Sequence, residues 1–298
     1  MGPLQQGPLT VAAPAPAASV IGVREVGTSL ADDLRAVRMI WKRELIRFGR
    51  NRMRMFTSLA QPILFLFVLG TGLSPIIPGG AKVDFRTFMF PGVLGMTVLF
   101  SAIFSALSIV WDREFGFLRE MLVAPVRRSA LVLGKCLGGA TVATIQGTVM
   151  LVLAGLVHVP YSPTLLLALL GEMALLAFTL TAFGTVIAAR MAQVETFQVV
   201  MNFFVLPMFF LSGAVFPLDK LPHWLAVLTK VDPMSYAIDP MRRAVFDHVH
   251  VAPRLAHALN PGMTWGGSRL PVSLELGMVA ALGAAMLVFA VFQFSRAE

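Results

Sequence analysis

Apolar runs of about twenty residues, separated by short polar breaks, set the pattern of this chain. The runs lie at about 55–73, 88–110, 131–157, 164–189, 196–216 and 271–294. Each is long enough to cross a hydrocarbon core of about 30 Å as a helix. The short alternating segments of a transmembrane β-barrel are absent from the pattern. Before the first run, residues 29–54 switch to a helical period. Leu30, Leu34, Val37, Trp41, Leu45 and Phe48 draw one stripe, with Arg43, Arg47 and Arg50 opposite. Ser29 and Asp32 give a capping-box-like start. Such a helix suits the membrane interface, its arginines toward anionic head groups, and equally suits packing on its own protein. The pattern predicts an all-α polytopic membrane protein with six transmembrane helices and an N-terminal amphipathic interface helix.

The densest charged island between two runs is Trp111–Gly134, reading WDREFGFLREMLVAPVRRSALVLG. Trp111, Phe115, Leu118 and Leu122 fall on one helical stripe, and Asp112, Arg113, Glu114, Arg119 and Glu120 cover the other faces. Pro125 ends the predicted helix, because the residue before a proline is pushed out of the α region. A mixed-charge helix held between two spans is built to press on a soluble partner. Within the loop 111–130, Phe115 and Leu118 would be its apolar anchors, the charged residues would set register, and Gly116 would permit close approach.

Charge orients the spans. Only 13% of residues are charged, yet the net charge is +8. Basic residues crowd the segment before the first run and the second-to-third loop, including Arg127, Arg128 and Lys135. Both regions therefore face the cytoplasm, as do both termini, and 217–270 lies outside. Residues 1–28, rich in Pro, Ala and Gly without a basic start, are expected to be a disordered cytoplasmic tail. The single cysteine, Cys136, excludes an intrachain disulfide and any cysteine-based metal cluster.

Catalytic and nucleotide-binding signatures are missing. The chain has no G-x-S-x-G elbow, no H-E-x-x-H and no P-loop. His248 and His250 alone make no metal site. One acid, Glu172, sits well inside a run, where an ionisable group either lines a wet path or holds a neighbouring helix. The fifth run is the most aromatic, and Phe203, Phe204, Pro207 and Phe210 on it are candidates for a path taken by an amphipathic substrate. Beyond it, short helices over 217–250 carry Trp224 and Tyr236, expected as anchors in the outer leaflet, and Asp239 and Arg242, spaced to pair across one helical turn.

These stretches resemble the membrane permeases of type-2 ABC exporters, a group that includes nodulation-factor, drug-resistance and polysaccharide or lipid exporters. The likeness rests on Arg113-Glu114, Gly116, Leu122-Val123-Ala124-Pro125 and Leu133-Gly134-Lys135. It extends to Leu206-Pro207, Leu211 to Pro217, Leu221-Pro222, Trp224-Leu225, Asp232-Pro233, Tyr236 and Arg242. Asp232 stands where Asn is commoner, and 251–270 is a longer outer insertion than the resemblance leads one to expect. The resemblance implies two six-span subunits, identical or paralogous, with two cytoplasmic ATPases seated on the loop 111–130 as a coupling helix. It also implies a bacterial inner membrane, with ATP and Mg held by the partner and no cofactor on this chain. The alternatives are an ion-coupled secondary transporter, which would need several intramembrane charges, and a membrane-embedded lipid-modifying enzyme, which would need converging nucleophiles and bases.

Overall fold

The computed structural model describes residues 30–74, 85–116, 126–218, 221–249, 259–265 and 267–296. The expected tail 1–28 and the coupling residues Leu118, Arg119, Glu120 and Pro125 lie outside them. Among the described residues, six helices are long and apolar enough to cross a membrane. The chain is thus an all-α polytopic membrane protein, and the one small sheet among the described residues is the hairpin of β1 (Thr264–Trp265) and β2 (Ser268–Arg269).

Helix α1 (Leu30–Arg50) precedes the spans. The first span begins in α2 (Arg52–Leu64), which widens into a π-turn at Phe65–Leu69 soon after Pro62. Pro62 lacks the N–H that would close the preceding turn, and such a gap favours a local change of helical register. The second span, α3 (Phe85–Glu114), has 30 residues and is the most buried, packed by the first, third, fourth and fifth spans. The third, α4 (Arg128–Leu151), tightens into a 3-10 turn at Val152–Val157. The fourth is α5 (Pro163–Ala188) and the fifth α6 (Val194–Leu211). After α7 (His223–Val231) and α8 (Ser235–His248), the sixth span is α9 (Val272–Arg296).

Three sequence expectations need correction. Trp111–Glu114 is not the start of a separate coupling helix but the last turn of α3. The chain leaves that helix at Gly116, which takes φ +81 while its N–H bonds the Arg113 carbonyl at 3.1 Å. A left-handed residue there closes a helix C-terminus and favours glycine, so no single short helix carries the stripe from Trp111 to Leu122. The fifth span ends at Leu211, several residues before Phe216, because the chain turns through Ser212 and Gly213.

The outer helices are the third case. Trp224 on α7 is 65% exposed. Tyr236, Asp239 and Arg242 on α8 are buried inside the protein instead, because α8 packs against α3, α5 and α9. Asp239 pairs with Arg243, not Arg242, and also accepts the Met263 N–H at 2.8 Å. Arg243 bridges on to Glu275 at 2.9 Å and to the Leu270 carbonyl at 2.7 Å. Arg242 donates to the Gly213 carbonyl and lies over the Phe88 ring at 4.5 Å. Burial draws its pKa down to about 10, so it stays cationic at neutral pH.

Candidate functional site at the basic end of the spans

One end of the bundle gathers α1, the end of α3, the starts of α4 and α6, and the end of α9. Their side chains are joined. Arg113 donates to the Met191 carbonyl at 3.1 Å, and the Glu114 carboxylate accepts the Val194 N–H at 3.1 Å. Val194 opens α6, so Glu114 caps that helix where its unpaired N–H groups favour negative charge. Arg127 reaches Asp33 of α1 at 3.3 Å. Arg128 donates to the Phe294 and Ser295 carbonyls, both at 2.9 Å, at the C-terminus of α9, where unpaired carbonyls favour a cation. Both ends of the second-to-third loop are therefore tied to neighbouring elements.

Beneath these ties lies a buried charge cluster that the sequence pattern did not disclose. Lys135, 2% exposed at its side chain, donates to Asp112 at 2.5 Å, to Glu44 at 2.8 Å and to Ser108 Oγ at 3.1 Å. Arg43 adds a bond to Asp112 at 2.9 Å, and Arg47 stands 3.7 Å from its second oxygen. Arg47 also lies over the Trp111 ring at 5.0 Å. Two carboxylates thus meet three cations, and each buried charge has a partner, as burial demands.

This cluster changes the account of α1. Arg43 and Arg47 turn to Asp112 of the protein rather than to lipid head groups, while Leu30 and Leu34 of the predicted stripe are 82% and 71% exposed. The face against α4 is Val37, Ile40, Trp41 and Glu44. It fits because Gly134 and Gly138 carry no side chain. A Cβ at Gly134 would stand 2.9 Å from Ile40 Cβ, and one at Gly138 would stand 2.8 Å from Glu44 Cβ. Trp41 Nε1 donates to Thr141 Oγ1 at 3.0 Å and closes the contact. A signal was present in the sequence: Glu44 shares a helical face with Val37, Ile40 and Trp41, and Lys135 lies inside an apolar helix.

Of the expected coupling residues, Arg113 and Glu114 are engaged within the chain, whereas Phe115 is 70% exposed and a Cβ at Gly116 would meet nothing within 4 Å among the described residues. Of the expected path residues, Phe203, Phe204 and Phe210 are 74%, 37% and 43% exposed on the outside of α6. Glu172 is buried on α5, with one carboxylate oxygen unpartnered among the described residues. The structure does not bring these residues together. A groove opens elsewhere, between α2, α3 and α6, as two adjoining cavities of about 360 and 200 Å³ that share Phe100, Phe104, Leu107 and Gln198. Thr57, Ser58, Gln61 and Trp111 line the first, and Asn202 the second. None of Glu172, Phe203, Phe204, Pro207 and Phe210 lines either. Behind the groove, Gln146 of α4 donates to Ser58 and to the Met55 carbonyl of α2 and accepts from Ser101 of α3, which pins three spans together.

Comparison with known proteins gives this arrangement its relatives. Residues 35–246 match the ABC-2 type transporter family. Nodulation protein J of Rhizobium leguminosarum bv. trifolii is 28% identical over 215 residues, covering 70% of this chain and 80% of that protein. The putative transport permease ycf38 of Cyanophora paradoxa is 28% identical over 209 residues, covering 67% and 71%. The probable multidrug ABC transporter permease YbhR of Escherichia coli (strain K12) is 28% identical over 160 residues, covering 53% of this chain and 43% of that protein. Six spans, a tied loop after the second, and a family match across most of the chain lead to one conclusion: the protein belongs to the ABC-2 type transporters and is a membrane-embedded transporter subunit.

Proposed function

We propose that this chain is the permease subunit of an ATP-driven exporter that moves an amphipathic or lipid-linked substrate out of the cytoplasm or inner leaflet. The exporter works as two such subunits with two cytoplasmic ABC ATPases, which hold the ATP and Mg. The chain itself is not an enzyme. It sits in a bacterial inner membrane with the basic end and both termini in the cytoplasm, the orientation favoured by basic residues near the spans.

The observation that carries this reading is the end of α3. The most buried span finishes in an exposed Phe115 beside Arg113 and Glu114, which are already bonded to the start of α6. A force applied at Phe115 and at 117–125 would pass directly into two spans. Substrate would enter the groove between α2, α3 and α6, which lies toward the same end. The exposed apolar positions Phe56 and Val68 on the first span, and Val199 and Phe203 on the fifth, are a surface for lipid or a second copy.

The test is co-purification of the partner ATPase with wild type and with Gly116→Trp, run beside a transport assay. Gly116→Trp is expected to abolish coupled transport while the subunit still inserts and dimerises. Orientation is read in parallel from single cysteines. Cysteine at Trp224 should react with an impermeant reagent on intact cells and cysteine at Ala192 should not; native Cys136 is buried and gives little background. The reverse labelling pattern, or full transport by Gly116→Trp, rejects the reading.

A further inference from the structure

We propose that the last span, α9, is a rigid strut through which the second-to-third loop moves the β1–β2 hairpin at the opposite end of the bundle, with Arg128 as its positioning residue. This rests on the exporter reading above, in which a partner ATPase bears on that loop. The first observation is how the strut is held at the basic end. Arg128 opens α4 directly after the loop. Its Nη1 donates to the Phe294 and Ser295 carbonyls, both at 2.9 Å, in the last turn of α9. Those carbonyls have no partner within the helix, so a cation there completes its terminus. α9 packs on α5, α4 and α8 rather than on α3. Motion at the end of α3 therefore has no direct path into α9, whereas motion at Arg128 has one.

The second observation is the opposite end. Glu275, fully buried in the first turn of α9, accepts from Arg243 of α8 at 2.9 Å. Arg243 also holds the Leu270 carbonyl at 2.7 Å, and Asp239 holds the Met263 N–H at 2.8 Å. The Leu270 N–H in turn bonds the Met263 carbonyl at 2.9 Å. These bonds close both feet of the hairpin onto α8 and α9.

Third, nothing interrupts the helix between its two ends. The first span widens at a π-turn, the second and fifth contain Pro91 and Pro207, and the third tightens into a 3-10 turn. α9 runs from Val272 to Arg296 without a proline or a change of turn, the features at which helices bend. Glu275 and Phe294 stand about 28 Å apart along it at the usual rise per residue. Midway, Thr179 of α5 donates to the Val279 carbonyl at 3.1 Å, and Gly283 lies against the same threonine, which fixes its register on α5.

The experiment uses the full chain with its partner ATPase in phosphatidylcholine nanodiscs. Ser268→Cys on the exposed hairpin is the reporter, since native Cys136 is buried. Its rate of maleimide labelling is compared without nucleotide and with ATP and vanadate. The rate is expected to change when nucleotide is trapped. In Arg128→Ala that change should shrink about tenfold, the weight of one hydrogen bond to a charged group, with ATPase capture and hydrolysis kept. Arg128→Lys retains a cationic donor and should restore most of the change, which a packing role would not. Glu275→Leu, which cuts the strut at its other end, should lose the change by a similar factor. Arg128→Gln gives the same reading should Arg128→Ala fold poorly. A reporter in the otherwise wild-type chain that ignores nucleotide, or an undiminished change in the folded Arg128 variants, overturns the proposal. With the ATPase captured, either result leaves the exporter reading intact; failure of the wild-type chain to capture the ATPase rejects both together.

Discussion

Lys135 Nζ stands 2.5 Å from Asp112 Oδ2, joining the last turn of α3 to α4 with 2% and 9% of the two side chains exposed. Glu44 brings α1 to the same ammonium. Lys135→Met would leave Asp112 and Glu44 with only the half-exposed Arg43 and Arg47 as partners, a loss of up to about 3–5 kcal/mol by comparison with broken buried pairs. Thermal unfolding in detergent should register this, and adding Glu44→Gln with Asp112→Asn should recover much of it. A loss under about 1 kcal/mol, typical of exposed pairs, would mean that the cluster is solvated.

Phe115 and Gly116 separate two kinds of effect. Phe115→Ala removes a mostly exposed ring, so unfolding should be unchanged while ATPase capture weakens by about 2 kcal/mol, a hot-spot loss. Gly116→Ala places a Cβ on a left-handed residue at a cost of about 1–2 kcal/mol, visible as a lowered unfolding temperature. Undiminished ATPase capture by Phe115→Ala would remove that ring from the docking surface.

Asp232 predicts a pH response at the end opposite the basic cluster. It joins α7 to α8, accepting the Met234 N–H at 3.2 Å and the Ser235 hydroxyl at 3.1 Å. Burial pushes its pKa up to about 7. A carboxyl raised in the folded state adds stability that is fully present below its unfolded value near 4 and is lost as pH rises through about 7. Asp232→Asn keeps the size and an acceptor without the charge. It should flatten this dependence between pH 4 and 8 and exceed wild type at pH 8 by more than about 1 kcal/mol. Parallel stability curves for the two proteins would refute the assignment.

Glu172 lies away from the groove and has an unpartnered buried oxygen among the described residues. Glu172→Leu should therefore leave transport unchanged and raise stability by about 1 kcal/mol, as removal of an unsatisfied buried polar group does. A tenfold fall in transport with unchanged folding would restore Glu172 to the substrate path.

The spans were legible because bilayer thickness imposes their length on hydropathy alone. The charge cluster was not, since Lys135 and Glu44 lie 91 residues apart in the chain and local periodicity cannot say which helix covers which. The same limit explains the Asp239 pairing. Either Arg242 or Arg243 satisfies helical spacing, and the choice falls to Glu275 and the Leu270 carbonyl, brought in by the last span. Phe203 and Phe204 line neither cavity for a related reason: aromatic content marks an apolar helix but not which of its faces borders a cavity. At Trp111 the stripe continued past a helix end that one left-handed glycine imposed.

The bond from Glu114 to the Val194 N–H makes α6 a pivoted rod. That helix has 18 residues, a length of about 27 Å at the usual rise. It is held at its first residue, and only about a fifth of its crossing window, 22%, is buried. A pull of about 2 Å at Glu114 would tilt such a rod by about 4°. Gln198 and Asn202 lie in its first half, toward the end tied to Glu114. Capping a helix and linking two spans are here the same bond: the carboxylate that completes α6 as a helix also ties it to the end of α3.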